Sequence, residues 1–213
     1  VKGLLRALIL LSVLSASVLL VLAYWQRGVD QSEPGASDSG RGDAPRATTV
    51  GQFTPLDPPR PAPEASFTER DGTPRRLADF RGRFVLLNLW ATWCAPCVRE
   101  MPSLDRLQAK LGSRLAILAV SEDRGGAHVV DPFLEKLGLA ALATYLDPKS
   151  ALSGELEVTG LPTTFLIDDQ GRILGQLEGA AEWDSPRMVR TIERYLQGAS
   201  ASGVVKTSTS GVR

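Results

Sequence analysis

Cysteine and histidine are almost missing from this chain, which has two of the first and one of the second in 213 residues. A structural zinc site gathers four ligands in recognisable groups. Beyond Cys94 and Cys97 the chain offers no third thiol and only His128, so the sequence reads against such a site. A surplus of one charge is also missing. The 24 basic and 24 acidic side chains balance, which argues against a general nucleic-acid binder. There is no internal repeat, so a solenoid or propeller is out.

The two cysteines fall where one pattern gives way to another. Phe84–Trp90 is a nearly continuous apolar run, as in a strand buried on both faces. From Ala95 to Leu111 the apolar residues Val98, Met101, Leu104, Leu107 and Leu111 recur at helical spacing on one stripe. Cys94 and Cys97 therefore sit at a helix N-terminus, where unpaired N–H groups and partial positive charge favour an anion. A thiol of pKa ~8.5 can fall to ~3.5–7.5 in such a setting. The spacing makes Cys94 the exposed nucleophile and Cys97, one turn on, the thiol that resolves a mixed disulfide. Pro96 lacks an N–H that a first helical turn does not use. The bland alternative is an inert structural bridge, but closing so short a loop adds little by loop-entropy reasoning.

Both ends differ from the middle. Residues 7–26 carry no charge, and ~20 helical residues span a ~30 Å hydrocarbon core. Lys2 and Arg6 precede this run, and Tyr24 and Trp25 close it. The pattern predicts a membrane anchor with residues 1–6 as a cytoplasmic flank and the bulk of the chain outside. A cleaved signal sequence is the alternative, although the run is long for one and no A-x-A-like site follows closely. Residues 27–63, rich in Gly, Pro, Ser and Asp, read as a disordered linker. Residues 198–213, small and polar, read as a disordered tail.

The segment 64–197 reads as one α/β domain with a central mixed sheet flanked by helices. Ser66–Glu69 and Pro74–Arg76 flank the hairpin signal Arg70-Asp71-Gly72-Thr73, and Leu77–Phe80 is a short helical turn. Leu115–Ser121 is a second buried strand, parallel to the first through the helical crossover. A helix follows over Ala127–Leu137, or from near Asp131 because of Pro132, and stops at Gly138. Then come a strand at Ala143–Leu146, a helix at Pro148–Leu156, a hairpin of Thr163–Ile167 with Arg172–Leu177, and a last helix capped by Ser185-Pro186.

Trp-Ala-Thr-Trp-Cys-Ala-Pro-Cys-Val-Arg-Glu-Met-Pro, with Gly160-Leu-Pro-Thr-Thr-Phe-Leu-Ile-Asp farther on, resembles membrane-anchored thioredoxin-like proteins of the TlpA group. Gly179-Ala-Ala-Glu-Trp183 adds to that likeness, which covers about residues 64–197. The resemblance implies a thioredoxin-like fold and a cis bond between Leu161 and Pro162 facing the cysteine turn, leaving the Leu161 backbone to pair with an extended substrate segment. It implies a catalytic set of Cys94, Cys97 and Glu100, and substrate contacts from Trp93, Pro96, Leu161 and Pro162. Thioredoxin has a buried Asp where this chain has Asn88, and an amide cannot shuttle a proton. Glu100, three residues after Cys97, matches a Glu of related reductases that could modulate the thiol's proton. It could equally be a carboxylate favourable early in a helix. Trp93 either shields Cys94 or packs as an ordinary aromatic; Trp90 belongs to the core. Glu182 and Trp183 match the group without a derivable chemistry.

The activity so implied is reduction of disulfides in partner proteins, with cuproproteins of cytochrome oxidase assembly as substrates. The redox group is the Cys94–Cys97 pair itself, with no further cofactor or metal. The partners would be disulfide-bearing proteins, a membrane-embedded thiol electron donor and the bilayer, in the bacterial inner membrane with the N-terminus in and the domain periplasmic. The same fold could run as a disulfide oxidase or isomerase, or as a cytochrome c maturation reductase, since Ala95-Pro96 does not fix the potential. Copper chaperones of this fold use a longer cysteine spacing plus a histidine, which this chain does not match. The peroxidatic pattern P-x-x-x-T-x-x-C is absent too, with no proline in Leu89–Ala91 and Thr92 two residues from Cys94.

Overall fold

The computed structural model describes residues 52–204. The expected anchor at 7–26, its flank at 1–6, the linker before residue 52 and the tail beyond 204 lie outside the described residues. No helix among the described residues is long and apolar enough to cross a membrane.

In chain order the elements are β1 (Thr54–Pro61), β2 (Ser66–Thr68), β3 (Pro74–Arg76), a 3-10 turn (Leu77–Phe80), β4 (Phe84–Trp90), α1 (Ala95–Leu111), a second 3-10 turn (Gly112–Arg114), β5 (Leu115–Ser121), α2 (Ala127–Leu137), β6 (Ala143–Leu146), α3 (Ala151–Leu156), β7 (Thr163–Ile167), β8 (Arg172–Glu178) and α4 (Pro186–Val204). The strands form one mixed sheet in the order β1-β8-β7-β4-β5-β6-β2-β3. The two continuous apolar runs, β4 and β5, lie side by side and parallel at its centre. Strand β6 continues the parallel set, and β7 pairs antiparallel with β4 on the other side. The β2–β3 hairpin joins through the single pair Thr68–Leu146.

Alternation along β4 divides the core. Val85, Leu87 and Leu89 join Leu118, Val120 and Phe165 against Leu152 and Leu156 of α3. Phe84 and Leu86 face the other way, meeting Leu104, Leu107 and Leu111 of α1 and Val189 and Ile192 of α4. A third cluster lies at the C-terminal end of β4, where Trp90 and Ala119 pack with Cys94, Cys97 and Met101 and with Val130 and Leu134 of α2.

Three boundaries depart from the sequence reading. The linker expected through residue 63 gives way to β1, an edge strand antiparallel to β8. Its prolines are tolerated because an edge strand need not donate every N–H to a neighbour. It approaches so closely at Gly175 that a Cβ there would sit 2.7 Å from the Thr54 carbonyl oxygen. Helix α3 begins at Ala151, not Pro148, because Asp147 accepts the Leu152 N–H at 2.8 Å and residues 147–150 form a turn. Helix α4 runs on to Val204, past the expected limit at Gln197. Of the two starts read for α2, the structure has the earlier, after Gly126.

Candidate active site

The turn from β4 into α1 puts both cysteines at the C-terminal edge of the central strands. Cys94 is the N-cap of α1, and its Sγ accepts the Cys97 N–H at 3.3 Å. Pro96 lies in the first turn and is half-buried. The two sulfurs are joined in a disulfide, with the Cα atoms 5.3 Å apart. Cys97 is fully buried and Cys94 keeps 6% of its surface, so the expected exposed nucleophile is exposed only relative to its neighbour. Trp93, immediately before, is 71% exposed. Ordinary aromatic packing, one of the two readings of this residue, is therefore not what it does.

Leu161 packs against the cluster that holds both cysteines, and the Leu161–Pro162 bond is cis. The β7 ladder with β4 starts at Thr163, so the Leu161 backbone lies outside it. Trp90 is buried, as read.

Glu100 is 2% exposed. Its Oε1 accepts from the Asn88 amide at 2.8 Å, and its Oε2 accepts the Ala181 N–H and the Trp183 indole N–H, each at 2.9 Å. It is thus a buried, hydrogen-bonded carboxylate in the second turn of α1. Burial pushes its pKa from 4.5 up to about 7, opposed by the three donors, the Ala181 N–H first among them. Asn88 also donates to Thr164 Oγ1 at 2.9 Å, while its own Oδ1 has no hydrogen-bond partner among the described residues. Trp183, without a derivable role in the sequence, is fully buried and fixes this carboxylate. Glu182 instead pairs at the surface with Arg106 at 2.8 Å.

Sequence reasoning missed Asp123, which is buried beside the cysteine loop and bonded to Thr92. Its one signal was a carboxylate just after a buried strand at the site end of the sheet. Among the described residues no three of His, Cys, Asp and Glu are placed to share a metal ion.

A model of the AhpC/TSA family matches residues 58–175. The chain is 34% identical over 139 residues to the thiol-disulfide oxidoreductase ResA of Geobacillus kaustophilus, an overlap of 64% of this chain and 74% of that one. It is 35% identical over 118 residues to the thioredoxin-like protein YneN of Bacillus subtilis, covering 53% of this chain and 66% of that one. Among solved structures it resembles a candidate thiol:disulfide interchange protein DsbE from Chlorobium tepidum. The TM-score is 0.60 at 31% identity, over 66% of this chain and 99% of that one.

Proposed function

The chain belongs to the AhpC/TSA family, and from its likeness to the thiol-disulfide oxidoreductase ResA and to the DsbE structure we propose that it is a thiol-disulfide oxidoreductase that reduces disulfides of partner proteins. The observation that carries this reading is the Cys94–Cys97 disulfide across the first turn of α1, beside the exposed Trp93. Starting from the dithiol, the Cys94 thiolate attacks one sulfur of a partner disulfide. A new S–S bond forms and the other sulfur leaves as a thiolate. Cys97, deprotonated, attacks Cys94 and expels the second partner sulfur. The partner gains two electrons, and this chain is left with its disulfide. Trp93, Pro96 and Leu161 form the rim on which the partner segment lies, and Pro162, next to Leu161, is itself buried. Glu100, one turn beyond Cys97, tunes the proton balance of the pair through the helix both share.

The setting we propose follows the likeness to the TlpA group. Residues 7–26 anchor the chain in the bacterial inner membrane with the domain on the periplasmic side. A membrane-embedded dithiol re-reduces the pair, and the substrates are cuproproteins of cytochrome oxidase assembly. The cysteines themselves are the redox group.

The test is reduction of insulin disulfides with dithiothreitol as donor. Cys94→Ser should abolish the activity, and full activity in that variant refutes the scheme. In cells, Cys97→Ala should accumulate mixed disulfides through Cys94, and the captured proteins identify the substrate.

A further inference from the structure

The segment at the end of β5 holds the loop that leads from β4 to Cys94. Glu122 N–H donates to the Trp90 carbonyl at 2.9 Å, at the end of the parallel ladder. Beyond that point Thr92 is gripped by one side chain. Asp123 Oδ2 accepts the Thr92 N–H at 2.8 Å, and Oδ1 accepts the Thr92 hydroxyl at 2.6 Å. The carboxylate is itself fixed. Ser121 Oγ donates to Oδ2 at 2.8 Å and accepts the Asp123 N–H at 3.1 Å, while the Asp123 carbonyl accepts the Gly126 N–H at 2.8 Å. Asp123 is 4% exposed, so these bonds form away from water. Two residues past Thr92, Cys94 N–H closes a turn onto the Ala91 carbonyl at 3.1 Å.

We propose that Asp123 is a positioning residue for Cys94. Its carboxylate clamps Thr92 from backbone and side chain at once, and so sets where the loop delivers the Cys94 sulfur at the head of α1. Charge-assisted bonds of this kind are short and directional. A displacement of about 1 Å in a reacting group can cost about 100-fold in rate. The proposal rests on the reading of Cys94 as the attacking thiol. It assigns Asp123 no contact with the substrate and no proton transfer.

The full-length chain is assayed for insulin reduction and, separately, for alkylation of reduced Cys94 by iodoacetamide. Asp123→Ala should lower kcat/KM by about 10- to 100-fold, carried by kcat, because the clamp orients attack rather than docking. Asp123→Asn should recover most of the loss. Its amide oxygen can take the Thr92 N–H, and its nitrogen can donate to the Thr92 hydroxyl oxygen. Thr92→Val keeps the backbone half of the clamp and should fall between. Alkylation of Cys94 should slow in Asp123→Ala and return in Asp123→Asn, as the thiolate loses and regains its place at the helix N–H groups. A folded Asp123→Ala chain with wild-type kcat/KM overturns the proposal, and so does equal impairment of Asn and Ala. Should the Ala variant not fold, wild-type kcat/KM in Thr92→Val overturns it. A wild-type chain inert toward insulin sinks the reductase reading alone, and the alkylation series then decides the clamp.

Discussion

The two halves of α1 face the same sheet and are built on opposite principles. From Leu104 on, the inner stripe is Leu104, Leu107 and Leu111, packed with Phe84, Leu86, Ile117 and the α4 residues Val189 and Ile192. The first half buries Glu100 and Ser103 beside Cys97 and Met101. There a polar network is added to the apolar contact of Met101 with Trp90 and Val130. Ser103 Oγ donates to the Glu100 carbonyl at 2.8 Å and accepts the Trp183 N–H at 3.0 Å, while the Glu100 carboxylate accepts from three donors. Apolar packing is forgiving of detail and supplies most stability. A buried network is costly wherever one member lacks a partner, so it persists where it positions something. The pattern divides the helix into a part that anchors and a part that holds the redox end.

The largest effect should come from the anchoring half. Leu107→Ala, at a fully buried position, should cost about 2–5 kcal/mol of unfolding free energy. Measured by urea denaturation of the oxidised form, that loss should leave the activity of the folded fraction near wild type. A matching fall in kcat of the folded protein would join the two halves into one unit.

Next comes the polar half, through Glu100. In the native chain its pKa is raised from 4.5 to about 7. Between those values the folded protein keeps a proton that the unfolded chain has released. The stability owed to this group is therefore complete below pH 4.5 and is lost as pH rises through about 7. Its size is about 3 kcal/mol on the order-of-magnitude conversion of a pKa shift to free energy. Glu100→Gln should remove that dependence. Its amide oxygen can serve Ala181 and Trp183, and its NH2 can face Asn88, whose unpartnered Oδ1 would accept after a half-turn of the amide. Urea midpoints of wild type should fall from pH 5 to pH 8, taken as roughly bracketing the titration, while those of the variant stay flat. Parallel slopes in the two proteins would mean that Glu100 is ionised throughout.

The same division explains what could be read in advance. Local pattern announced the strand, cysteine turn and helix of 84–111, because a continuous apolar run and a helical stripe are both local signals. It announced the β7–β8 hairpin through Asp168-Asp169-Gln170-Gly171. Strand β1 was hidden by its prolines, which an edge position makes acceptable, and by its close approach at Gly175, which leaves room for Phe53 and the Thr54 carbonyl. Glu100 was flagged by resemblance, but its partners Ala181 and Trp183 are 81 and 83 residues away, and no spacing rule spans that distance. The Asp123 clamp on Thr92 likewise closes across 31 residues and a helix. Pairings between loops at the end of a sheet depend on how the crossovers stack, which single-element periodicity does not encode.

The smallest effect should lie at the rim, where the tryptophans make the contrast sharpest. Trp183 is fully buried and donates to Glu100, whereas Trp93 is 71% exposed beside Cys94. Trp93→Ala should change stability by no more than about 0.5 kcal/mol, as expected of a surface site without special contacts. Its cost should appear only when a protein docks. An exposed aromatic next to a reactive sulfur offers apolar area to a partner segment. KM for insulin should therefore rise several-fold while reaction with a small disulfide such as oxidised glutathione stays at the wild-type rate. Equal losses with insulin and with the small disulfide would place the Trp93 effect on Cys94 itself rather than on docking, and the rim would then belong to the same positioning apparatus as Glu100 and Asp123.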